Sequence, residues 1–212
     1  MRSVIVHNMK EVINASQAAF EQAARVVMSG GVIAFRTDTF YGLGVDPFNP
    51  RALNRIRELK GREDSKPILI VISDAIEADR FISERSNLFE IVSTRHWPGA
   101  LTLVLNARDD IPDELTAGTG TIGVRLPDDA DVRALVRTCG GALTATSANP
   151  SGAAPARTSS EVAKYFPVGV DLIVDSGDVI SDQPSTVLDV CGDVPRVIRE
   201  GVFEFGDLFG VR

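Results

Sequence analysis

Two short stretches hold most of the side chains that could do chemistry. Lys60-Gly61-Arg62, followed closely by Lys66, sets three cations around a glycine. Thr146-Ser147-Ala148-Asn149-Pro150-Ser151-Gly152 gathers hydroxyls, an amide, a proline and a glycine behind a short apolar run. Loop cations can clamp phosphates, arginine with a planar donor fork and lysine as a point charge. A third stretch, Thr37-Asp38-Thr39-Phe40-Tyr41-Gly42-Leu43-Gly44, follows the apolar run 32–35. Ligand sites in open α/β sheets favour the carboxyl ends of strands. The same residues also read as an ordinary turn made by aspartate and glycine.

Arg125 stands inside the strand-like run 121–126 and shares a face with Thr121 and Gly123 by the two-residue period. An arginine on a buried face needs an anionic partner, and an edge strand or a structural ion pair would also account for it. Arg55 and Arg57 read as a solvated helix face whose cations complement the helix dipole. Ser185 and Arg199 lie on the last two strand-like runs, which form a hairpin and could bring the two together.

Other chemistries find no support. There is no G-x-S-x-G elbow, and the two histidines, His7 and His96, are too few for a histidine-rich metal site. Gly118-Thr119-Gly120-Thr121-Ile122-Gly123 matches a dinucleotide fingerprint by spacing but precedes a strand instead of opening a helix. An enzyme built from these residues works by positioning and by stabilising anionic centres. The formal net charge of −7, from 22 basic and 29 acidic residues, argues against strong non-specific nucleic-acid binding. An anionic ligand must therefore be held by a local cluster of cations. Cys139 and Cys191, far apart in sequence, read as reduced residues of a cytoplasmic protein. No apolar run approaches the roughly 18 residues of a membrane span, and the N-terminus is too short and polar for a signal peptide.

The elements that must position these groups alternate helical patterns with short apolar runs, which predicts a mixed α/β (α+β) fold around a twisted sheet. Strands are expected at 4–7, 32–35, 68–72, 101–105, 121–126, 142–145, 171–175, 185–190 and 195–199. Helices are expected at 15–29, 50–60, 74–82 and 85–95, with a capping box at Thr158-Ser159-Ser160-Glu161 opening another. The helix over 50–60 carries the fullest set of signals: Asn49 as cap, Pro50 in the first turn, an apolar stripe of Leu53, Ile56 and Leu59, and Gly61 as stop.

Taken in order, the motifs resemble the YrdC/Sua5 family of threonylcarbamoyl-AMP synthases. The matching segments are the Thr37–Gly44 run, Lys60-Gly61-Arg62, Lys66-Pro67-Ile68, Trp97-Pro98-Gly99-Ala100-Leu101-Thr102, Gly123-Val124-Arg125, Thr146–Gly152, Pro184-Ser185-Thr186 and Arg199-Glu200-Gly201. The K-x-R motif with a distant S-x-N is the specific part. The resemblance implies one YrdC-like domain over 1–212, with its core at about 15–202 and a deep cleft. It also implies a nucleotidyltransferase that joins L-threonine, bicarbonate or CO2, and ATP into threonylcarbamoyl-AMP and pyrophosphate, with Mg2+ on the phosphates. The product would pass to the tRNA threonylcarbamoyltransferase machinery for N6-threonylcarbamoyladenosine, with weak RNA binding as an adjunct.

Residue by residue, the resemblance puts Thr39, Tyr41, Arg125, Ser147 and Ser185 at the threonine. It puts Lys60, Arg62, Lys66, Thr121, Asn149, Arg157 and Arg199 at the ATP, with Lys60 and Arg62 carrying catalysis. Three positions depart from the family pattern. Arg36 stands where proline is usual, Glu63 where proline often follows the K-x-R arginine, and Val71 where some longer members have histidine. The chain resembles the short YrdC branch, without the extra C-terminal domain of the Sua5 branch. The competing readings are a double-stranded RNA-binding or ribosome-maturation module of the same fold, a YciO-type relative, and a carbamoyl-adenylate-forming domain of the hydrogenase-maturation kind. Salt-sensitive RNA binding without ATP turnover marks the first. YciO-type relatives lack the K-x-R and S-x-N pair, and dependence on carbamoyl phosphate marks the third.

Overall fold

The structure, a computed structural model, describes residues 11–61, 66–204 and 206. The expected strand at 4–7, with His7, lies outside the described residues, as do Arg62 and Glu63. In chain order the strands are β1 (Glu11–Asn14), β2 (Ile33–Arg36), β3 (Tyr41–Gly44), β4 (Ile70–Ile72), β5 (Leu101–Asn106), β6 (Thr121–Arg125), β7 (Ala142–Thr144), β8 (Thr146–Ser147), β9 (Leu172–Asp175), β10 (Thr186–Asp189) and β11 (Arg196–Arg199). The helices are α1 (Gln17–Met28), α2 (Pro50–Lys60), α3 (Asn87–His96), α4 (Asp113–Thr116), α5 (Ala130–Thr138) and α6 (Ser159–Tyr165), with a 3-10 helix at Ala75–Arg80.

The expected mixed α/β fold is divided between two sheets. One runs β1-β9-β2-β3-β8 and the other β11-β10-β5-β6-β4-β7, and each mixes parallel and antiparallel pairs. Strand β2 shows why its apolar run is continuous. Ile33 and Phe35 face one core cluster with Phe20, Ala23 and Val27 of α1 and Val132, Leu135 and Val136 of α5. Ala34 faces a second, larger cluster with Leu43, Ile70, Leu103 and Ile122. A strand buried on both faces has no polar side to alternate with. Each large side chain so buried, such as Phe35, contributes about 1.5–3 kcal/mol.

Helix α2 forms as its local signals direct. The Asn49 side chain accepts from the Ala52 amide, Pro50 occupies the first turn, and Gly61 closes the helix at φ 55°, the left-handed conformation that glycine enters without penalty. Its arginines correct the solvated-face reading. Arg57 is buried and donates to the Glu114 carbonyl, and Arg55 bonds the Gly30 and Gly169 carbonyls and Asp171. The helix-end cations are tethers between elements.

Gly141 to Ser147 joins the two sheets. Strand β7 pairs with β4 in the six-stranded sheet. Thr144 exchanges hydrogen bonds with Val45 through its amide and hydroxyl, and the Ala145 amide reaches the Leu69 carbonyl. One residue later β8 pairs with β3 of the other sheet, Gly42 opposite Ser147. The chain changes sheets at Ala145.

Candidate functional site

A cavity of about 310 Å3 opens where the two sheets meet at this crossover. Strands β3 and β8 give Tyr41, Gly42, Thr146 and Ser147 to its wall, and β4, β5 and β6 give Ile70, Val71, Thr102 and Arg125. The segment after β8 supplies Asn149, Ser151 and Gly152, and Lys60, the first residue of the K-x-R motif, lines the cavity together with Lys66. Nine of the residues nominated by resemblance line this one space: Thr39, Tyr41, Lys60, Lys66, Arg125, Ser147, Asn149, Ser185 and Arg199. Thr121 and Arg157 do not line it, and Arg62 lies outside the described residues. Thr121 pairs its hydroxyl with that of Thr119, and Arg157 donates to the Val179 and Ile180 carbonyls.

The polar groups are held individually. Arg125 is buried on β6, an interior strand between β5 and β4. Its Nε donates to the Gly99 carbonyl at 3.1 Å, its Nη1 to Thr39 Oγ1 at 3.0 Å, and its Nη2 pairs with Asp38. The anionic partner that a buried arginine needs is thus Asp38, with a fork still directed at the threonine hydroxyl that lines the cavity. Thr39 is fixed in turn by the Thr37 hydroxyl, which caps the 37–40 turn.

Lys60 reaches from the end of α2 into the S-x-N loop. Its Nζ donates to the carbonyls of Ser147 and Asn149, the latter at 2.9 Å, and lies 3.5 Å from Ser147 Oγ. The Ser151 amide returns a bond to the Lys60 carbonyl. Asn149 spends its amide hydrogens on the Pro150 and Ala153 carbonyls. The loop is therefore shaped by its own carbonyls and one lysine.

Ser185 precedes β10, and Arg199 reaches back from β11 to bond both its carbonyl and its hydroxyl, at 2.8 and 3.1 Å. The expected proximity of these two residues is a direct contact. Gly201 lets the chain return this closely: a Cβ there would stand 2.2 Å from the Pro184 carbonyl oxygen. Burial, and then the charge of Arg125, hold the Arg199 guanidinium below its ordinary pKa. Two cations thus face the same space, and only Arg125 carries a carboxylate partner among the ion pairs of the described residues. No aspartate or glutamate among the described residues lines the cavity.

Tyr41 is fully buried, and its hydroxyl turns to the Gly177 carbonyl at 2.9 Å and Asp175 at 3.2 Å. Burial, then the Asp175 charge, raise its pKa. The phenol braces the site wall from behind. Of the three departures from the family pattern, Arg36 pairs with Asp129, the cap of α5, and Val71 packs among Leu143, Val136 and Phe35. Thr102, the last residue of the Trp97–Thr102 motif, was assigned no role from the sequence but lines the cavity. Its signal was a lone hydroxyl within the apolar run Leu101–Leu105.

A set of cations without lining acids, ringed by hydroxyls, can hold two anionic groups side by side. The Sua5–YciO–YrdC family model, described as telomere recombination, matches residues 25–201. A threonylcarbamoyl-AMP synthase of Bacillus subtilis is 32% identical over 195 residues, covering 92% of this chain and 56% of the relative. One of Thiobacillus denitrificans is 38% identical over 161 residues, covering 76% and 85%. The solved structure of P. abyssi Sua5 complexed with L-threonine superposes with a TM-score of 0.89 at 30% identity, covering 94% of this chain and 61% of that one. E. coli YciO superposes at 0.85 with 26% identity, covering 94% and 100%. The chain thus spans little more than half the length of the B. subtilis relative.

Proposed function

Because this chain belongs to the Sua5–YciO–YrdC family, we propose that it makes threonylcarbamoyl-AMP and pyrophosphate from L-threonine, bicarbonate and ATP. One observation carries the reading: Lys60, Lys66, Arg125 and Arg199 line a single cavity with the hydroxyls of Thr39, Ser147 and Ser185, in a chain whose net charge is −7. Local cations concentrate anionic substrates against an acidic surface.

The reaction asks the protein for placement. Threonine carbamate carries its own nucleophile, a carboxylate oxygen that bonds to the α-phosphorus while the bond to the pyrophosphate oxygen breaks. Arg125 receives the threonine carboxylate beside Thr39. Ser147 and Ser185 meet the amino acid, and Asn149 the nucleotide. Lys60, Arg62 and Lys66 neutralise charge gathering on the phosphates, with Arg199 adding to the field. Mg2+ would be held by the nucleotide phosphates, hard oxygen ligands, where it would offset charge on the leaving pyrophosphate. Among the described residues no group of acidic, histidine or cysteine side chains could hold an ion alone. Thr121 and Arg157 would serve the nucleotide only from outside the cavity wall. The product is an activated carbamate for the machinery that modifies tRNA.

Pyrophosphate release tests the assignment. It is expected only with ATP, L-threonine and bicarbonate together. Lys60→Ala and Arg62→Ala are each expected to lower kcat/KM at least roughly tenfold, about 1.4 kcal/mol of transition-state stabilisation. Unchanged turnover in both variants removes these residues from the phosphates. RNA retention that fades with salt, without ATP turnover, would favour the RNA-binding reading instead.

A further inference from the structure

We propose that Thr102 is a positioning residue that turns Ser185 into a hydrogen-bond donor toward a ligand carboxylate. The inference rests on the amino-acid side of the function proposed above. Thr102 Oγ1 and Ser185 Oγ lie 3.0 Å apart, and either could donate. Their surroundings decide the direction. Thr102 has no exposed surface, and Ser185 Oγ is the only partner of its hydroxyl among the described residues. If Ser185 donated to Thr102, the Thr102 proton would be a buried donor without an acceptor, which native structures rarely tolerate.

Ser185 has another outlet. Both residues line the cavity, but only Ser185 exposes surface, 4% against 0% for Thr102, and Arg199, which can only donate, already uses one of the serine lone pairs at 3.1 Å. A bond from Thr102 takes the second lone pair. The Ser185 proton is left to the cavity, where Arg125 and Arg199 make an anionic oxygen the favoured acceptor. Two donors pressing on one hydroxyl also polarise it, which strengthens the bond that it gives. With no exposed surface of its own, Thr102 acts on the ligand through Ser185. Its place is fixed by β5, by the Ser185–Thr186 step that starts the neighbouring strand, and by the bare backbone of Gly123, whose Cβ would sit 3.3 Å from Thr102 Cγ2.

The isosteric variant Thr102→Val removes the donor and keeps the shape. Calorimetry with L-threonine is expected to show affinity about five- to tenfold weaker, with the KM for ATP within about twofold of wild type. Thr102→Ser is expected to restore threonine binding. In a Ser185→Ala background, Thr102→Val is expected to add less than about twofold, because the two act as a unit. Equal losses in both backgrounds, or Thr102→Val affinity within twofold of wild type, overturn the proposal. Proton NMR separates this outcome from failure of the functional reading. A slowly exchanging Thr102 hydroxyl proton, absent in Thr102→Val and shifted in Ser185→Ala, is expected whatever the substrate, and rapid exchange of that proton overturns the proposed direction. Wild-type protein that shows this proton but binds no L-threonine would remove the functional reading and the carboxylate as ligand, leaving the hydroxyl geometry standing.

Discussion

Replacing Arg125 with methionine keeps its apolar stem and removes three anchored contacts. The Asp38 carboxylate, the Gly99 carbonyl and the Thr39 hydroxyl lose their partner together. The paired side chains are 7% and 16% exposed, so solvent screens the pair little. Removing one member of a buried ion pair costs about 3–5 kcal/mol, since the other charge is stranded. Relief of the repulsion between Arg125 and Arg199 offsets part of this, which places the expectation near the lower end, about 3 kcal/mol. For a chain of this size that lowers Tm on the order of 10 °C. The assay is urea unfolding of wild type, Arg125→Met, Asp38→Asn and the double variant. The double variant is expected to recover about 1–3 kcal/mol relative to the sum of the single losses, because the stranded carboxylate is then neutral. Additive losses, or a loss below about 0.5 kcal/mol in Arg125→Met, would refute the pairing argument. Threonine-dependent pyrophosphate release is expected to vanish in both Arg125 variants regardless of stability.

Gly201→Ala forces a Cβ to within 2.2 Å of the Pro184 carbonyl oxygen and 2.6 Å of the Ser185 carbonyl carbon. Because backbone is what must shift, threonine KM is expected to rise at least about tenfold, with a lowered Tm as the parallel readout; wild-type kinetics would show that the return strand yields freely. Asp175 accepts from the Ser159 hydroxyl, the Gly177 amide and Tyr41, and the Ser159 bond leads in holding its pKa below the usual carboxylate range. A carboxyl group depressed in the folded state stabilises above its unfolded pKa of about 3.9, and that stability is lost as pH falls through the folded value. The urea midpoint of Asp175→Asn is therefore expected to fall less than that of wild type between pH 6 and pH 3, and parallel declines would contradict this.

Legibility from sequence followed local signals. Helix α2 was readable because cap, proline, stripe and glycine stop agree, and its bounds match. Helix α5 was not recognised, although Asp129 caps it and Val132, Leu135 and Val136 form its buried face; nine residues are a short window for the 3.6 period. Strand β1 has an exposed edge pattern, and β3 was read as loop because its glycines suppress the strand signal. The two-sheet division could not be read at all, since strand pairing at long range leaves no local mark. The site residues were nominated by motif, and most converge because the motifs sit at or next to the ends of strands and of helix α2, where the two sheets meet. Arg57 was misread because burial through a carbonyl partner looks, in sequence, like a charged surface.

The switch of the chain from one sheet to the other at Ala145 makes the S-x-N loop a stitch between two fabrics. Strain on either side tightens or slackens the same thread, so an insertion between Thr144 and Ser147 would disturb the registry of β7 with β4 and of β8 with β3 in one event. Variation in length is thereby barred at the place where ligand chemistry would most readily be re-tuned. Diversity of substrate must come from the side chains that the stitch displays.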